Sequence, residues 1–143
     1  MSFKSEALSA QHALGSTVIR NTTNPDTLKG ALYLNSATVN GATTTYSAVN
    51  EVSGTNYNPG GVPVTNSTNP TTSGSTAYWT PSANLVYSNV TLASQFDCVL
   101  LYNSTQNNKA VAVYTFPAQT VNAGTLTLTM PTNDVNNALL RLA

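Results

Sequence analysis

Two apolar runs that flank a polar tip, between Cys98 and Phe116, constrain this fold more than any other part of the sequence (CVLLYNSTQNNKAVAVYTF). Each run has five to eight residues and is rich in the β-branched and aromatic side chains that favour strands. The polar residues between them, 103–108, suit a turn. The pattern predicts a β-hairpin with a loop of about six residues. Because Cys98 to Tyr102 is apolar without a break, we expect its strand to be central, with both faces covered.

Two other stretches carry clear strand patterns. Residues 28–34 (LKGALYL) place their leucines and Gly30 on one face, and Lys29, Ala31 and Tyr33 on the other. Residues 125–130 (TLTLTM) alternate strictly, which predicts a half-buried strand. Shorter strands are predicted at positions 17–19, 62–65, 76–80, 85–87, 90–92 and 138–142. The strand at 62–65 is limited to a sheet edge by its proline. Residues 138–142 form either a strand or a short terminal turn.

The stretch from 35 to 75 shows little periodicity. Residues 46–50 (YSAVN) fit either one helical turn or a short strand. Residues 66–75 (NSTNPTTSGS) contain no apolar side chain. Long irregular stretches in compact domains are either functional or unstructured. We therefore expect residues 66–75 to be ordered only where something else contacts them.

The order of these elements predicts an all-β fold. Eight to ten short strands with turn signals between them indicate a single-domain antiparallel β-sandwich or jelly roll over residues 16–143. Residues 3–14 have helical spacing, so residues 1–15 are predicted to form a short N-terminal helix or an arm. That segment either closes one end of the domain or docks on a neighbouring molecule.

Composition excludes several classes of partner. Charged residues make up 7% of the chain and the formal net charge is zero. Nucleic-acid and membrane-surface binding both need clustered positive charge, so we expect neither partner. No apolar run approaches the roughly 20 residues of a membrane span. Thr, Asn and Ser supply 55 of the 143 residues. A surface with so little charge repulsion favours association, and the alternative is a soluble domain with a neutral surface.

Groupings of catalytic residues are absent from the sequence. Cys98 is the only cysteine, and it is expected to be a buried small hydrophobic residue. The only histidine, His12, is far from it in sequence and is expected to be a surface or capping residue. The acidic residues are scattered, at Glu6, Asp26, Glu51, Asp97 and Asp134. We therefore expect no enzyme activity, no catalytic residues, no cofactor and no metal site.

Two local features have competing interpretations. Glu51 lies beside Tyr46, Tyr57 and a Gly-Gly pair. It either contacts a partner subunit or, as we prefer, accepts hydrogen bonds from loop amides and fixes a glycine-rich turn. Tyr78, Trp79 and Tyr87 fit either a sugar-binding platform or, as is commoner for a strand tryptophan, the core.

The segment YSAVNEVSGTNYNPGGVPVT, residues 46–65, resembles small structural proteins of tailed bacteriophages. The stretch 79–131 and the ending ALLRLA are similar to the same group, so the likeness covers about residues 30–143. The resemblance implies a virion component that is assembled in the bacterial cytoplasm. It favours a capsid decoration, or cement, protein that binds the major capsid protein on the outer shell and forms a homo-oligomer, a trimer or a dimer. A neck, tail or fibre component is the first alternative, and a glycan-binding adhesin module is the second.

Overall fold

All regular structure in the computed structural model is β-structure, over the described residues 26–65 and 68–143. The strands, in chain order, are β1 (Leu28–Leu34), β2 (Val62–Pro63), β3 (Thr71–Ser73), β4 (Thr76–Trp79), β5 (Leu85–Asn103), β6 (Lys109–Leu128) and β7 (Leu140–Leu142). Every strand pair is antiparallel, and the described residues contain no helix. The predicted all-β antiparallel class is confirmed. The predicted N-terminal helix or arm and the strand at 17–19 lie outside the described residues.

The chain divides into two compact units. The larger, which we call the hairpin unit, consists of Thr27–Pro63 and Leu85–Leu128. The smaller, the three-stranded unit, contains Val64–Asn84 and Thr129–Ala143. Each unit has its own sheet. The stacking of sheets as a sandwich or jelly roll stays a prediction.

The sheet of the hairpin unit has the strand order β2-β1-β5-β6. Strand β5 lies between β1 and β6, and Asn103 at its end is paired with both Leu28 and Lys109. The predicted hairpin is confirmed, with its turn at residues 104–108. Residues 98–103 are all buried, as expected of a central strand with both faces covered.

The two long strands correct the predicted strand count. Residues 85–87 and 90–92 were expected as separate strands, but both belong to the 19-residue β5. Register shifts interrupt the β5–β6 ladder at several points, and Asn89 takes a φ of 51° at one of them. Such bulges bend a strand without ending it. Residues 125–128 of the alternating TLTLTM stretch likewise form the end of the 20-residue β6, with Leu126 buried and Thr125 and Thr127 exposed. Residues 26–65 and 68–143 form seven strands, whereas the predicted eight to ten also counted the strand at 17–19, which lies outside this range.

The three-stranded unit has the order β3-β4-β7. Strand β3 was not predicted: within residues 66–75, Thr71–Ser73 pairs with β4 despite its lack of apolar side chains. Strand β4 ends at Trp79, before Pro81, as predicted. Strand β7 pairs with β4 from Ala77 to Trp79, so the element predicted at 138–142 is a strand, at residues 140–142.

One face of the hairpin sheet carries a compact apolar cluster. Its buried members are Ala31, Tyr33, Cys98, Leu100 and Tyr102. Ala31 and Tyr33 share this face, as the alternation in β1 predicts, and they pair directly with Leu100 and Cys98 on β5. Partly buried side chains of the connection between β1 and β2, residues 35–61, pack against the cluster. This connection, the β1–β2 loop, therefore supplies part of the core.

Candidate functional site

The β1–β2 loop turns back along the outer edge of β1. The Leu34 N–H donates to the Asn50 carbonyl (3.0 Å) and the Val52 N–H donates to the Leu32 carbonyl (3.0 Å). Asn50 lies in the turn just before Glu51 and has a φ of 62°, a conformation that asparagine adopts more readily than most residues. The 46–50 segment forms neither the helical turn nor the strand considered for it. The loop thus covers the part of β1 that β2 leaves unpaired.

Glu51 is the anchor of this loop. Its Oε1 accepts hydrogen bonds from the Gly60 N–H at 2.7 Å and from the Tyr57 hydroxyl at 2.8 Å. Its Oε2 accepts one from the Tyr46 hydroxyl at 2.6 Å. Hydrogen bonds to an ionised carboxylate are about twice as strong as neutral ones. One side chain thereby ties together three points of the loop, and the preferred interpretation of Glu51 as an acceptor that fixes the glycine-rich turn is confirmed.

The Tyr57 hydroxyl connects this anchor to the sheet. It donates to Glu51 and accepts from the backbone N–H of Leu32 at 2.9 Å. Leu32 is fully buried, so its N–H would otherwise lack a partner in this part of the ladder. The ring of Tyr57 stacks on that of Tyr87, with ring centroids 6.1 Å apart. The loop therefore completes the hydrogen bonding of β1 with a side chain where no strand is present.

The Gly-Gly pair lets the loop backbone lie directly against β1. Gly61 has a φ of 75°, and a Cβ at this position would be 1.7 Å from the Gly30 carbonyl oxygen. The Gly60 carbonyl accepts from the Tyr102 hydroxyl at 2.8 Å. Tyr102 in turn stacks on Tyr46, with ring centroids 4.5 Å apart and an interplanar angle of 15°. Tyr57 and Tyr46, the two tyrosines that bind Glu51, are thus each held by a stacked ring on β5, Tyr87 and Tyr102 respectively.

Burial keeps the tyrosines of this network protonated. Desolvation raises the pKa of Tyr33 to about 12, against a usual value near 10, although the Ser47 N–H, which donates to the Tyr33 oxygen, opposes the shift. The pKa of Tyr57 is also raised by burial, and the negative charge of Glu51 adds to the effect. The same two causes raise the pKa of Tyr46 and Tyr102. These hydroxyls therefore keep their protons at neutral pH, so they can donate hydrogen bonds and do not act as bases.

The raised tyrosine pKa values predict a loss of stability in alkaline solution. Unfolded tyrosines release their protons near pH 10, while the folded ones still hold theirs, so above about pH 10 the folded state binds more protons and its stability falls as the pH rises. We expect the urea midpoint to be constant from about pH 7 to pH 9 and to drop above pH 10. Urea unfolding followed by circular dichroism measures this, and Tyr57→Phe should flatten the decline. A midpoint that does not change up to about pH 11 would contradict it.

An exposed tip stands beside the Glu51 network. Residues 47–50 are all exposed, and Val49 is the most exposed large hydrophobic side chain of the described residues, at 72%. A groove of about 260 Å³ lies next to it, with Tyr33, Val39 and Thr45 among its lining residues. The chemistry of this surface is apolar and hydroxylic, without a charged group. It is suited to contact with another surface and contains no nucleophile or acid–base pair.

The remaining candidates for chemistry do not come together. Cys98 is buried, as predicted, and burial raises the pKa of its thiol to about 11, which leaves it neutral and unreactive near pH 7. Asp134 accepts hydrogen bonds from the backbone N–H groups of Asn136 and Asn137 in a turn. Across residues 26–65 and 68–143, no three His, Cys, Asp or Glu side chains are grouped to hold a metal ion. His12 and Glu6 lie outside the described residues.

Two of the three aromatic side chains considered for a sugar-binding platform are buried. Trp79 is fully buried, and its Nε1–H donates to the Thr68 carbonyl at 3.2 Å. Tyr87 is 2% exposed, and its hydroxyl donates to the Gly30 carbonyl. Tyr78 alone of the three is partly exposed. The preferred interpretation of Trp79 as a core residue is confirmed.

Glu51 and its partners in the loop are apparent in the sequence, but the link to Tyr102 is not. Glu51 was singled out because it is a rare charge beside glycines, and Tyr46 and Tyr57 were noted as its neighbours. Tyr102 was assigned only to a central strand. The signal that links them is the excess of tyrosine in a chain with few charges, since a buried hydroxyl needs a partner. Val49 carries no sequence signal, because an isolated valine in a polar loop is ordinary.

Comparison with known proteins adds no family. No protein-family model, curated protein or solved structure matches this chain. Among the residues described, no helix is both long enough and apolar enough to cross a membrane.

Proposed function

We propose that this chain is a structural protein of a bacteriophage virion, a capsid decoration protein that binds the major capsid protein and stabilises the shell. The observation that carries the proposal is the Glu51 network, which holds a 27-residue loop against the sheet without leaving a reactive group free. A rigid, uncharged surface of this kind is suited to permanent contact with another protein. The resemblance of residues 46–65 to phage structural proteins falls on this same loop.

The exposed tip is the part of the loop through which we propose that the capsid is bound. Residues 47–50 project Val49 next to an uncharged groove. Interface centres favour apolar side chains and exclude charged ones. Because the network fixes the loop before any partner arrives, little ordering entropy is lost on binding. This arrangement suits a protein that adds to a preassembled shell.

Electron cryomicroscopy of the intact particle tests the location. The proposal expects density for this chain on the outer shell, with contacts from residues 47–50 to the major capsid protein. The copy number separates the proposal from its nearest alternative, because hundreds of copies per particle fit a shell component. A dozen copies or fewer, or density at the neck, tail or a fibre, would exclude the decoration role.

A charge at the tip should weaken capsid binding. We expect Val49→Asp to reduce the affinity for shells that lack this protein at least ~10-fold, because a carboxylate would be desolvated in the contact. Thr127→Asp is the matched control, since Thr127 is exposed on β6 and outside the loop. Co-sedimentation of purified protein with such shells measures both. Equal binding by Val49→Asp and the wild type would show that the tip is not the contact.

A further inference from the structure

One dipeptide of the β1–β2 loop is open to a chemical change of its own. Asn40 is followed by Gly41, and this is the only Asn-Gly pair among the 18 asparagines of the sequence. The backbone nitrogen of the residue after an asparagine can attack the side-chain amide carbon and close a succinimide ring. Glycine hinders this attack least, because it has no side chain and the widest backbone freedom. The sequence therefore singles out Asn40 as the asparagine most exposed to this reaction.

The fold presents this pair to solvent in a turn. Asn40 and Gly41 are both exposed. The Thr43 N–H donates to the Asn40 carbonyl at 3.0 Å, and the Thr43 hydroxyl accepts from the Asn40 N–H at 3.0 Å. Among the described residues, a Cβ on Gly41 would have no atom within 4 Å. Water and base can therefore reach the peptide bond between the two residues.

The side chain of Asn40 is folded back over the same peptide bond. Its Oδ1 accepts from the Ala42 N–H at 2.8 Å, which is an Asx turn. The ring that this hydrogen bond closes contains both the amide carbon Cγ of Asn40 and the backbone nitrogen of Gly41. The Ala42 N–H also polarises the side-chain carbonyl, because a donor aimed at this oxygen stabilises the negative charge that develops when a nucleophile adds. The turn thus makes the Asn40 amide carbon more electrophilic.

We propose that Asn40 is a site of spontaneous deamidation in the folded protein. A base from solvent removes the Gly41 amide proton, and a bond forms between that nitrogen and Cγ of Asn40. The Cγ–Nδ2 bond then breaks as Nδ2 takes a proton from water and leaves as ammonia. Water opens the succinimide at either of its two carbonyls, which gives aspartate or isoaspartate at position 40. The reaction needs only water and base, and it does not depend on the proposed virion role.

The product carries a new charge at an uncharged surface. Asn40, Gly41 and Thr43 line a groove of about 220 Å³ together with the apolar, partly buried residues 110–113 of β6. Either product places a carboxylate at this groove. Isoaspartate also adds a backbone carbon to the turn that the hydrogen bonds between Asn40 and Thr43 close. Aged protein therefore differs from fresh protein in both the charge and the shape of this turn.

Timed incubation of the full-length protein in mildly alkaline buffer, followed by peptide mass spectrometry, tests the site. We expect Asn40 to be converted at least ~10-fold faster than any other asparagine, and faster still as the pH rises, because the attacking nitrogen must lose its proton. Circular dichroism shows that the protein stays folded throughout. A mixture of aspartate and isoaspartate at position 40 is the mark of the ring. An intact Asn40 in folded protein, or aspartate alone, would overturn the proposal.

Gly41→Ala separates the chemistry from the fold. The added methyl group fits, since the space around a Cβ at this position is open among the described residues, so the variant keeps the turn. We expect it to slow conversion of Asn40 at least ~10-fold, because the methyl group hinders the attacking nitrogen and restricts the backbone. Asn122, which is also exposed and is followed by Ala123, serves as the internal reference and should react equally slowly in both proteins. Equal rates at Asn40 in the variant and the wild type would exclude attack by the Gly41 nitrogen.

Discussion

Gly54→Ala is expected to lower the free energy of unfolding by about 3 kcal/mol, because the added methyl group meets backbone. A Cβ on Gly54 would be 2.0 Å from the Thr91 carbonyl oxygen of β5. That carbonyl accepts from the Thr55 N–H at 3.1 Å, and the Thr91 N–H donates back to Thr55 at 3.1 Å. Moving the loop away to make room therefore breaks two hydrogen bonds. Urea unfolding followed by circular dichroism measures the loss.

Gly41→Ala is the matched control for this change. It lies in the same loop, and a Cβ at that position would have no atom within 4 Å. We expect its free energy of unfolding to stay within about 0.5 kcal/mol of the wild type, or to rise slightly through reduced freedom of the unfolded chain. Equal effects of the two substitutions would mean that the loop does not lie against β5 at Gly54.

Glu51→Ala is expected to destabilise the protein by about 3 kcal/mol. The substitution removes the acceptor of three hydrogen bonds and leaves the Tyr57 hydroxyl without its acceptor inside the protein. Each charge-assisted bond is worth about 1.5–3 kcal/mol, and the partial exposure of Glu51 lets water replace some of this. The expected loss is therefore smaller than the sum of three bonds. Denaturant unfolding at neutral pH measures it.

Glu51→Gln separates the hydrogen bonds from the charge. The amide oxygen still accepts from Gly60 and Tyr57, while the amide NH₂ replaces the oxygen that accepts from Tyr46. We expect a loss of about 1 kcal/mol. The Tyr46 and Tyr57 hydroxyls should also titrate at lower pH than in the wild type, since the nearby negative charge is gone. If Glu51→Gln and Glu51→Ala lost the same amount, the hydrogen bonds of the carboxylate would not be what holds the loop.

Much of the fold could be predicted because side-chain alternation reports local burial. The central position of residues 98–102 followed from an unbroken apolar run, and the strand at Leu28–Leu34 from its pattern. The lengths of β5 and β6 could not be predicted in the same way. Bulges shift the alternation at points such as Asn89, so a continuous strand looks like several short ones. Strand β3 was missed because backbone pairing with β4 orders it without apolar side chains.

The candidate site was predictable only around its one charged residue. Glu51 stands out in a chain with five acidic residues, and carboxylates near glycines commonly accept backbone hydrogen bonds. The contacts of Tyr102 with Gly60 and Tyr46 join residues 42 and 56 positions apart. Separations of this size depend on how β5 lies beside β1, which local pattern does not report. The same is true of Gly61, whose tight approach to Gly30 exists only in the folded sheet.

Amide hydrogen exchange at Gly60 tests most directly whether Glu51 holds the β1–β2 loop in place. The Gly60 N–H donates to the Glu51 side chain, so its protection depends on the network and not on a strand ladder. We expect wild-type Gly60 to be protected to a degree comparable with amides of the central strand β5, and Glu51→Ala to remove that protection while the β5 amides keep theirs. A Gly60 amide that exchanges in the wild-type protein as fast as an unstructured peptide would contradict the account.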